Sequence, residues 1–197
     1  MKTVLGIAGS LRRGSYNRSL LRAAGELAPP GLTISVHEGL ASIPPFDEDL
    51  EAATAGGPEA VQTLRGQIAS ADALLIATPE YNHSLPGVLK NAIDWVSRPG
   101  PHEVLAGKPI AVIGASGGPW GTRLAQAALR QVLYATGSLV LPAPALFVAN
   151  AKRLFDESGK LVDGSVRERL SSLLAALSSW TDLVNAGGAA APAPPAR

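Results

Sequence analysis

The stretch from Gly6 to Ser19 reads Gly-Ile-Ala-Gly-Ser-Leu-Arg-Arg-Gly-Ser-Tyr-Asn-Arg-Ser. It begins inside a predicted buried strand over residues 3–8, turns at Gly9 and leads into a predicted helix over residues 17–27. The first amides of a helix lack partners and its dipole favours negative charge, so this arrangement forms an anion site. Side chains that add donors for a phosphate are Ser10, Arg12, Ser15 and Asn17. Residues 9–17 of this stretch, here called loop 1, therefore predict a bound phosphate group.

The pattern of loop 1 excludes the two common nucleotide motifs. No Gly-Lys-Ser/Thr follows it, so it is not a Walker A loop, and it lacks the Gly-x-Gly-x-x-Gly of dinucleotide sites. A monophosphate ligand is favoured. The alternative is an ordinary turn between strand and helix in which Ser15 only caps the helix.

Composition indicates one globular domain, which we place at residues 1–186. The chain has 197 residues, of which 46% are hydrophobic and 17% charged. Residues 187–197 are rich in Ala and Pro and are predicted to form a disordered tail. We expect a cytoplasmic protein, because the first residues enter a strand directly and no apolar run is long enough for a membrane span. The net charge of +1 gives no reason to expect nucleic acid as a partner.

Residue usage also restricts the chemistry. The chain has no cysteine, which excludes disulfides and thiolate nucleophiles, so redox chemistry must come from a bound cofactor. The histidines are His37, His83 and His102, and none lies at metal-ligand spacing from another, so no metal site is predicted.

Strands and helices alternate along the chain, which predicts an α/β fold with a parallel sheet covered on both faces. The predicted strands cover residues 3–8, 32–37, 73–78, 109–114 and 138–141. The predicted helices cover residues 17–27, 58–70, 86–96, 122–136 and 165–184. Ser165 and Glu168 predict a capping box at the last helix. The acidic segment 43–51 is predicted to be a solvated loop, and 142–164 an irregular connection.

Two further loops leave the carboxyl ends of predicted strands, where parallel sheets bind ligands. Loop 2 (residues 79–87) reads Pro-Glu-Tyr-Asn-His-Ser-Leu-Pro-Gly and combines a rigid backbone, an aromatic ring and peptide edges that suit a flat heterocycle. Loop 3 (residues 115–121) reads Ala-Ser-Gly-Gly-Pro-Trp-Gly, and its glycines allow the backbone to approach a ligand. Each loop could instead be only a surface turn before a helix.

Loop 3 also contains a competing motif. Residues 114–118 match Gly-x-Ser-x-Gly, the nucleophile elbow of serine hydrolases, with Ser116 as the nucleophile. The order of the residues counts against a hydrolase, because the α/β-hydrolase triad places its histidine after the serine and all three histidines precede Ser116.

Three blocks carry a resemblance to a known family. They are residues 9–17 (Gly-Ser-Leu-Arg-Arg-Gly-Ser-Tyr-Asn), residues 78–82 (Thr-Pro-Glu-Tyr-Asn) and residues 86–95 (Pro-Gly-Val-Leu-Lys-Asn-Ala-Ile-Asp-Trp). In order and spacing they resemble the NADPH-dependent FMN reductase family, which includes bacterial quinone, chromate and azo-dye reductases. The resemblance covers about residues 2–180 and implies a flavodoxin-like three-layer αβα sandwich with a five-stranded parallel sheet.

The resemblance also implies an activity, its cofactors and an assembly. It implies noncovalent FMN, NADPH or NADH as hydride donor, and two-electron reduction of a small acceptor: a quinone, chromate, an azo or nitro compound, or free flavin. It further implies a homodimer or a dimer of dimers (homotetramer) with flavin sites beside the subunit interface. The helix over residues 86–96 is expected near that interface, because Leu89, Ile93, Trp95 and Val96 give it more apolar bulk than one buried face needs.

By position, the resemblance assigns roles to the residues of all three loops. Those implied to bind FMN are Ser10, Leu11, Arg12, Ser15, Tyr16, Asn17, Pro79, Glu80, Tyr81, Asn82, Ser116, Gly117 and Gly118. Candidates for contact with the acceptor are Tyr81, His83 and Trp120, and no catalytic side chain is predicted because the flavin N5 carries the chemistry. A flavodoxin-type electron carrier is the main alternative, although such carriers are strongly acidic and this chain is not.

Overall fold

Strands and helices alternate in the computed structural model, which describes residues 1–188. The strands are β1 (Lys2–Ala8), β2 (Leu32–His37), β3 (Ala73–Ala77), β4 (Pro109–Ala115), β5 (Leu139–Val140) and β6 (Leu146–Val148). The helices are α1 (Tyr16–Glu26), α2 (Glu48–Ala53), α3 (Glu59–Ser70), α4 (Gly87–Val96), α5 (Arg123–Ala135) and α6 (Gly164–Gly188). Single 3₁₀ turns lie at Leu40–Ser42, Gly100–His102 and Ala151–Arg153. The five predicted helices are all present, with bounds that shift by a few residues.

The strands form one parallel sheet in the order β2-β1-β3-β4-β5, with β6 also paired to β4. The chain moves from β1 outward to β2 and then returns to place β3 on the other side of β1. The order of the strands therefore reverses at β1 and β3, and the crevice beyond their carboxyl ends is where such sheets bind ligands. Every residue of β3 and β4 is buried, as expected for central strands covered on both faces.

Helices cover the sheet on both faces and complete the predicted three-layer sandwich. One core cluster joins α1 and α6 to the sheet through residues such as Leu20, Leu21 and Leu170. The other joins α3, α4 and α5 through residues such as Leu64, Leu89 and Leu129. The two clusters lie on opposite faces, so the sheet itself is the centre of the core.

The fifth position in the sheet is shared by two short strands. β5 pairs with the start of β4, where Val140 lies opposite Ile110, and β6 pairs with its end, where Leu146 lies opposite Ile113. Pro142 and Pro144 lie between them, and proline cannot donate a hydrogen bond to a neighbouring strand. The prediction of an irregular connection missed β6, because three residues after two prolines give no strand pattern.

The acidic segment 43–51 is only partly the solvated loop that its composition predicts: residues 47–49 are exposed, and other residues are packed. Its first part packs over α4: the Pro44 carbonyl accepts hydrogen bonds from Asn91 Nδ2 and Trp95 Nε1, both at 2.8 Å. The Phe46 ring meets the Trp95 ring edge-on at 5.0 Å. Its second part enters α2, whose N-cap is Asp47. The sequence analysis missed this packing because the prolines and acidic residues of the segment interrupt any periodic pattern of buried residues.

This cover changes the expectation for α4. Leu89, Ile93, Trp95 and Val96 are all buried, with Trp95 at 0% exposure, and they belong to the core of a single chain. The apolar bulk of the helix is therefore explained by contacts within the chain, and the argument from these four side chains to a subunit interface was wrong.

A buried cation supports the same region. Arg65 is 7% exposed and donates to the carbonyls of Gly56 and Trp95. Desolvation lowers the pKa of Arg65, and the nearby Glu51 carboxylate partly offsets this effect. The guanidinium thus ties α3 to α4 and to the turn that follows α2.

The last helix begins one residue earlier than predicted and has a different cap. The Oδ1 atom of Asp163 accepts a hydrogen bond from the Val166 amide at 2.8 Å, so Asp163 rather than Ser165 caps α6.

The predicted tail, 187–197, lies outside the described residues except for Gly187 and Gly188, which end α6. Within the part of the chain that the structure describes, no helix has the length and apolar character needed to cross a bilayer.

We expect Asn91→Ala to lower the free energy of unfolding by about 1–3 kcal/mol, the cost of leaving a partly buried donor without an acceptor. Asn91 Oδ1 accepts the Phe46 amide at 2.7 Å, and alanine removes that acceptor. Urea unfolding measures the change. Gln131→Ala, at an exposed position of α5, is the control and should leave stability nearly unchanged. Equal stability of the two variants would contradict a structural role for Asn91.

Candidate functional site

The three loops meet at the carboxyl edge of the sheet, as the sequence predicts. A Cβ atom on Gly9 of loop 1 would lie 3.2 Å from Pro79 and 3.5 Å from Pro86, both in loop 2. A Cβ atom on Gly114, just before loop 3, would collide with the Thr78 carbonyl and with the Thr122 side chain. Glycine is required at position 114, because the Thr78 backbone approaches too closely for a side chain, whereas Gly9 allows the loop 2 prolines to pack closely against loop 1.

Loop 1 presents both hydroxyl groups and free amides at the start of α1. Ser15 is the N-cap: its Oγ accepts hydrogen bonds from the amides of Asn17 at 3.2 Å and Arg18 at 3.4 Å. An oxygen that accepts two amides keeps its own proton, so Ser15 can cap the helix and still donate to a ligand. Ser10 is 4% exposed, and its Oγ accepts the Arg12 amide at 3.4 Å, so its hydroxyl proton is also available.

Asn17 has a different place from the one its position in the motif implies. It is 2% exposed, and its Nδ2 donates to the Ala115 carbonyl while its Oδ1 accepts the Ala115 amide, both at 2.9 Å. Both ends of the side-chain amide are thus engaged with the end of β4. Asn17 connects loop 1 to loop 3 and does not extend toward solvent.

The middle of loop 1 is exposed and cationic. Leu11, Arg12 and Arg13 are exposed, and neither guanidinium forms an ion pair with a carboxylate among residues 1–188. Tyr16, by contrast, is partly buried, and its ring packs against Phe155 at 5.3 Å. Arg12 is therefore free to reach an anion, whereas Tyr16 is held against the segment that follows β6.

Loop 2 contains a tight reverse turn. Tyr81 and Ser84 exchange two backbone hydrogen bonds, at 3.0 and 2.9 Å. The two residues between them, Asn82 and His83, have φ values of 48° and 63°. Asn and His are among the residues that adopt positive φ most readily. The turn leaves His83 exposed at the tip of the loop, whereas Pro79 is buried at its base.

The Glu80 side chain does not face outward with this turn. Its Oε2 accepts the backbone amides of Leu124 at 2.9 Å and Ala125 at 3.0 Å, in the first turn of α5. The Nδ1 atom of the exposed His83 ring lies 3.8 Å from the other carboxylate oxygen. Glu80 therefore links loop 2 to the helix that follows loop 3, and its backbone amide remains for a ligand.

Loop 3 is held by the segment that follows β6, a contribution that the sequence analysis missed. The Ser116 amide donates to the Val148 carbonyl at 2.9 Å, and the Ser116 carbonyl accepts the Ala151 amide at 3.0 Å. The Gly118 carbonyl accepts the amide of Asn150 at 2.9 Å. Gly117 and Gly118 are exposed, and open space surrounds the position of a Cβ atom on Gly117.

The geometry of Ser116 does not support a hydrolase. Its Oγ donates only to the Gly118 carbonyl, at 3.4 Å, and no histidine contacts it in the described part of the chain. A nucleophile elbow places its serine on a sharp turn between strand and helix. Here β4 ends at Ala115 and α5 begins only at Arg123, so the strand and the helix are too far apart along the chain.

Three exposed apolar side chains belong to the segments that form the site. Trp120 of loop 3 is 73% exposed, Leu124 at the start of α5 is 50% exposed, and Tyr81 of loop 2 is 49% exposed. The bond between Glu80 and the Leu124 amide brings these residues to one region. A flat apolar molecule that enters between loops 2 and 3 would meet these side chains.

The residues present fit FMN. Six loop 1 amides have no protein acceptor within residues 1–188, those of Ser10, Leu11, Arg13, Gly14, Ser15 and Tyr16. With the hydroxyls of Ser10 and Ser15 and the guanidinium of Arg12, they form a set of donors without a protein anion, which suits a phosphate. The amides of Asn82, His83 and Gly117 are likewise available to the polar edge of a flat ring.

Comparison with known proteins also points to a protein that binds FMN. The family model for NADPH-dependent FMN reductases matches residues 2–153. An NAD(P)H-dependent FMN reductase of Pseudomonas aeruginosa is 49% identical over 177 residues, which cover 90% of this chain and 94% of the relative. A quinone reductase of Pseudomonas putida is 41% identical and covers 90% of this chain and 93% of the relative. A 2-hydroxy-1,4-benzoquinone reductase of Burkholderia sp. is 37% identical, with 88% and 93% covered.

A solved structure confirms the fold and the class of enzyme. FerB of Paracoccus denitrificans, a flavoenzyme NAD(P)H:(acceptor) oxidoreductase, is 35% identical and has a TM-score of 0.83, with 93% of this chain and 98% of that chain covered. The predictions of a flavodoxin-like fold, of an oxidoreductase, and of FMN and NAD(P)H as its cofactors are confirmed. The chain belongs to the NADPH-dependent FMN reductase family.

Proposed function

We propose that this protein binds FMN across the three loops and reduces a small quinone by two electrons at the expense of NAD(P)H. The observation that carries the proposal is the set of donors without protein acceptors in loop 1, at the start of α1 and beside loops 2 and 3. Relatives named quinone reductase and 2-hydroxy-1,4-benzoquinone reductase support a quinone over chromate, azo or nitro compounds and free flavin.

Each loop has a separate task in this proposal. Loop 1 holds the phosphate through its amides, Ser10, Arg12 and Ser15, while Asn17 fixes loop 1 to β4. Leu11 and Tyr16 shape the surroundings of the phosphate. Loops 2 and 3 line the isoalloxazine with Pro79, Tyr81 and the backbones of Glu80, Asn82, Ser116, Gly117 and Gly118.

Bound FMN supplies the two-electron transfer between NAD(P)H and the acceptor. The chain would contribute binding and orientation through loops 2 and 3, and the exposed apolar side chains of Tyr81 and Trp120 suit a flat apolar acceptor. His83 lies at the exposed tip of loop 2, where it can contact an acceptor oxygen.

The assembly remains a prediction. The homodimer or dimer of dimers implied by the family is not supported by α4, whose apolar residues are buried in the chain. The exposed side chains of Trp120, Leu124 and Tyr81 are a better candidate for the contact, because a cluster of exposed apolar residues marks interaction sites.

The purified protein should release FMN and not FAD, and anaerobic NADPH should bleach the bound flavin directly. Mass analysis of the released cofactor and one spectrum before and after NADPH test both points. A protein that binds FMN but is not reduced by NADPH would be an electron carrier of flavodoxin type instead. Recovery of FAD, or no affinity for added FMN, would refute the proposed site.

Arg12→Ala should weaken FMN binding by about 1.5–3 kcal/mol, the contribution of a hydrogen bond to a charged group. The Arg12 side chain is exposed and its guanidinium forms no ion pair among the described residues, so the fold should not change. Titration of the apoprotein with FMN measures the dissociation constant. Arg169→Ala, an exposed cation on α6, is the matched control. An unchanged affinity in Arg12→Ala would remove this residue from the phosphate site.

Ser116→Ala should retain most NADPH-dependent reductase activity, because loop 3 is held by the backbone bonds of Ser116 and not by its hydroxyl. Gly114→Ala, in the same motif, should instead destabilise the protein, since its Cβ would collide with the Thr78 carbonyl. Steady-state turnover and thermal unfolding separate the two effects. Complete loss of turnover in Ser116→Ala with FMN still bound would return the serine to a catalytic role.

A further inference from the structure

The first turn of α5 depends on a residue from another loop. Thr122, the residue before the helix, has a φ of 65°, and its side chain makes no hydrogen bond to the α5 amides. Its hydroxyl instead accepts a hydrogen bond from Gln126 Nε2 at 3.1 Å. Glu80 of loop 2 takes the missing role and accepts the Leu124 and Ala125 amides on a single oxygen, Oε2. The cap of α5 is therefore supplied by a residue 44 positions earlier in the chain.

This contact joins loop 2 to the helix that follows loop 3. Loop 3 runs directly into α5 and carries the exposed Trp120, while the residue that follows Glu80 is Tyr81. The Glu80 side chain is 16% exposed and spans the space between the two segments. We infer that Glu80 is a positioning residue, whose carboxylate holds the Trp120 side of the site against loop 2 and thereby shapes the entry for the quinone.

The inference rests on the proposed function and assigns to the Glu80 side chain a task other than contact with the cofactor. If the carboxylate acted on the flavin through its charge, loss of that charge alone would change kcat or the FMN affinity. If it acts as a cap, one oxygen that accepts both amides is enough, and glutamine supplies that oxygen. Glu80→Gln and Glu80→Ala therefore separate the two roles.

The experiment measures steady-state kinetics with a benzoquinone, FMN affinity, and hydrogen exchange of the peptide that contains Leu124 and Ala125. We expect Glu80→Ala to raise the KM for the quinone about tenfold, the effect of losing about one helix cap. The KM should change more than kcat or the FMN affinity, and the two amides should exchange faster. Glu80→Gln should lie closer to the wild type than Glu80→Ala in KM and in amide exchange.

Glu103 provides the matched control. Its Oε1 accepts two successive backbone amides, those of Leu105 at 2.8 Å and Ala106 at 3.1 Å, in the connection before β4 and away from the three loops. Glu103→Ala also removes a carboxylate oxygen that accepts two backbone amides, here in a turn, and should leave the KM for the quinone unchanged. A similar rise of KM in Glu103→Ala would show that general destabilisation is the cause and would overturn the inference.

Two other results would also overturn it: a wild-type KM in Glu80→Ala, or a Glu80→Gln variant that is impaired as strongly as Glu80→Ala. Failure of the proposed function is a separate outcome. A wild-type protein that binds no FMN would refute the flavin site, whereas hydrogen exchange at Leu124 and Ala125 would still report whether Glu80 holds α5.

Discussion

Two hydrogen bonds between the Asn17 side chain and the backbone of Ala115 hold the start of α1 against the end of β4. α1 packs across β1, β3 and β4, so this contact fixes the depth and the angle at which the helix meets the sheet. The hydrogen bonds are buried, so leaving either group without its partner would lower the free energy of unfolding by about 1–3 kcal/mol. The position of the anion site follows, because the free amides of loop 1 precede the helix that Asn17 anchors.

The rest of the site depends on how closely the three loops approach one another. Gly114 allows the Thr78 backbone to approach within contact distance, and Gly9 allows the loop 2 prolines to pack against loop 1. The Glu80 carboxylate joins loop 2 to the start of α5, and the Ser116 backbone joins loop 3 to the end of β6 and the segment that follows it. The donors that remain without a protein acceptor are concentrated where the ligand would bind, which is why a rigid frame and an open site occur together in the same short loops.

The close approach of the loops also explains why residues 114–118 match a hydrolase motif without serving as one. Residues 114–118 match a nucleophile elbow, yet Gly114 is required by the approach of Thr78 and Thr122, and Ser116 serves through its backbone. In a similar way, the apolar circumference of α4 suggested a subunit contact, and the cover supplied by residues 43–51 accounts for it within the chain. The composition of a segment shows which side chains it can bury. The tertiary structure decides which other segments those side chains pack against.

The sequence by itself determined the fold class, and it predicted a site at the carboxyl edge of the sheet with a phosphate bound at loop 1. Alternating periodicity, buried strands and a polar turn before a helix are local signals, and they depend on nearest neighbours along the chain. Tertiary structure alone decided that Asn17 faces β4, that Glu80 caps α5, that β6 completes the sheet and that the segment after β6 holds loop 3. These contacts join residues far apart in the chain, and a hydrogen bond between such residues leaves no periodic trace in the sequence because its partners are specified only by the packing of the layers.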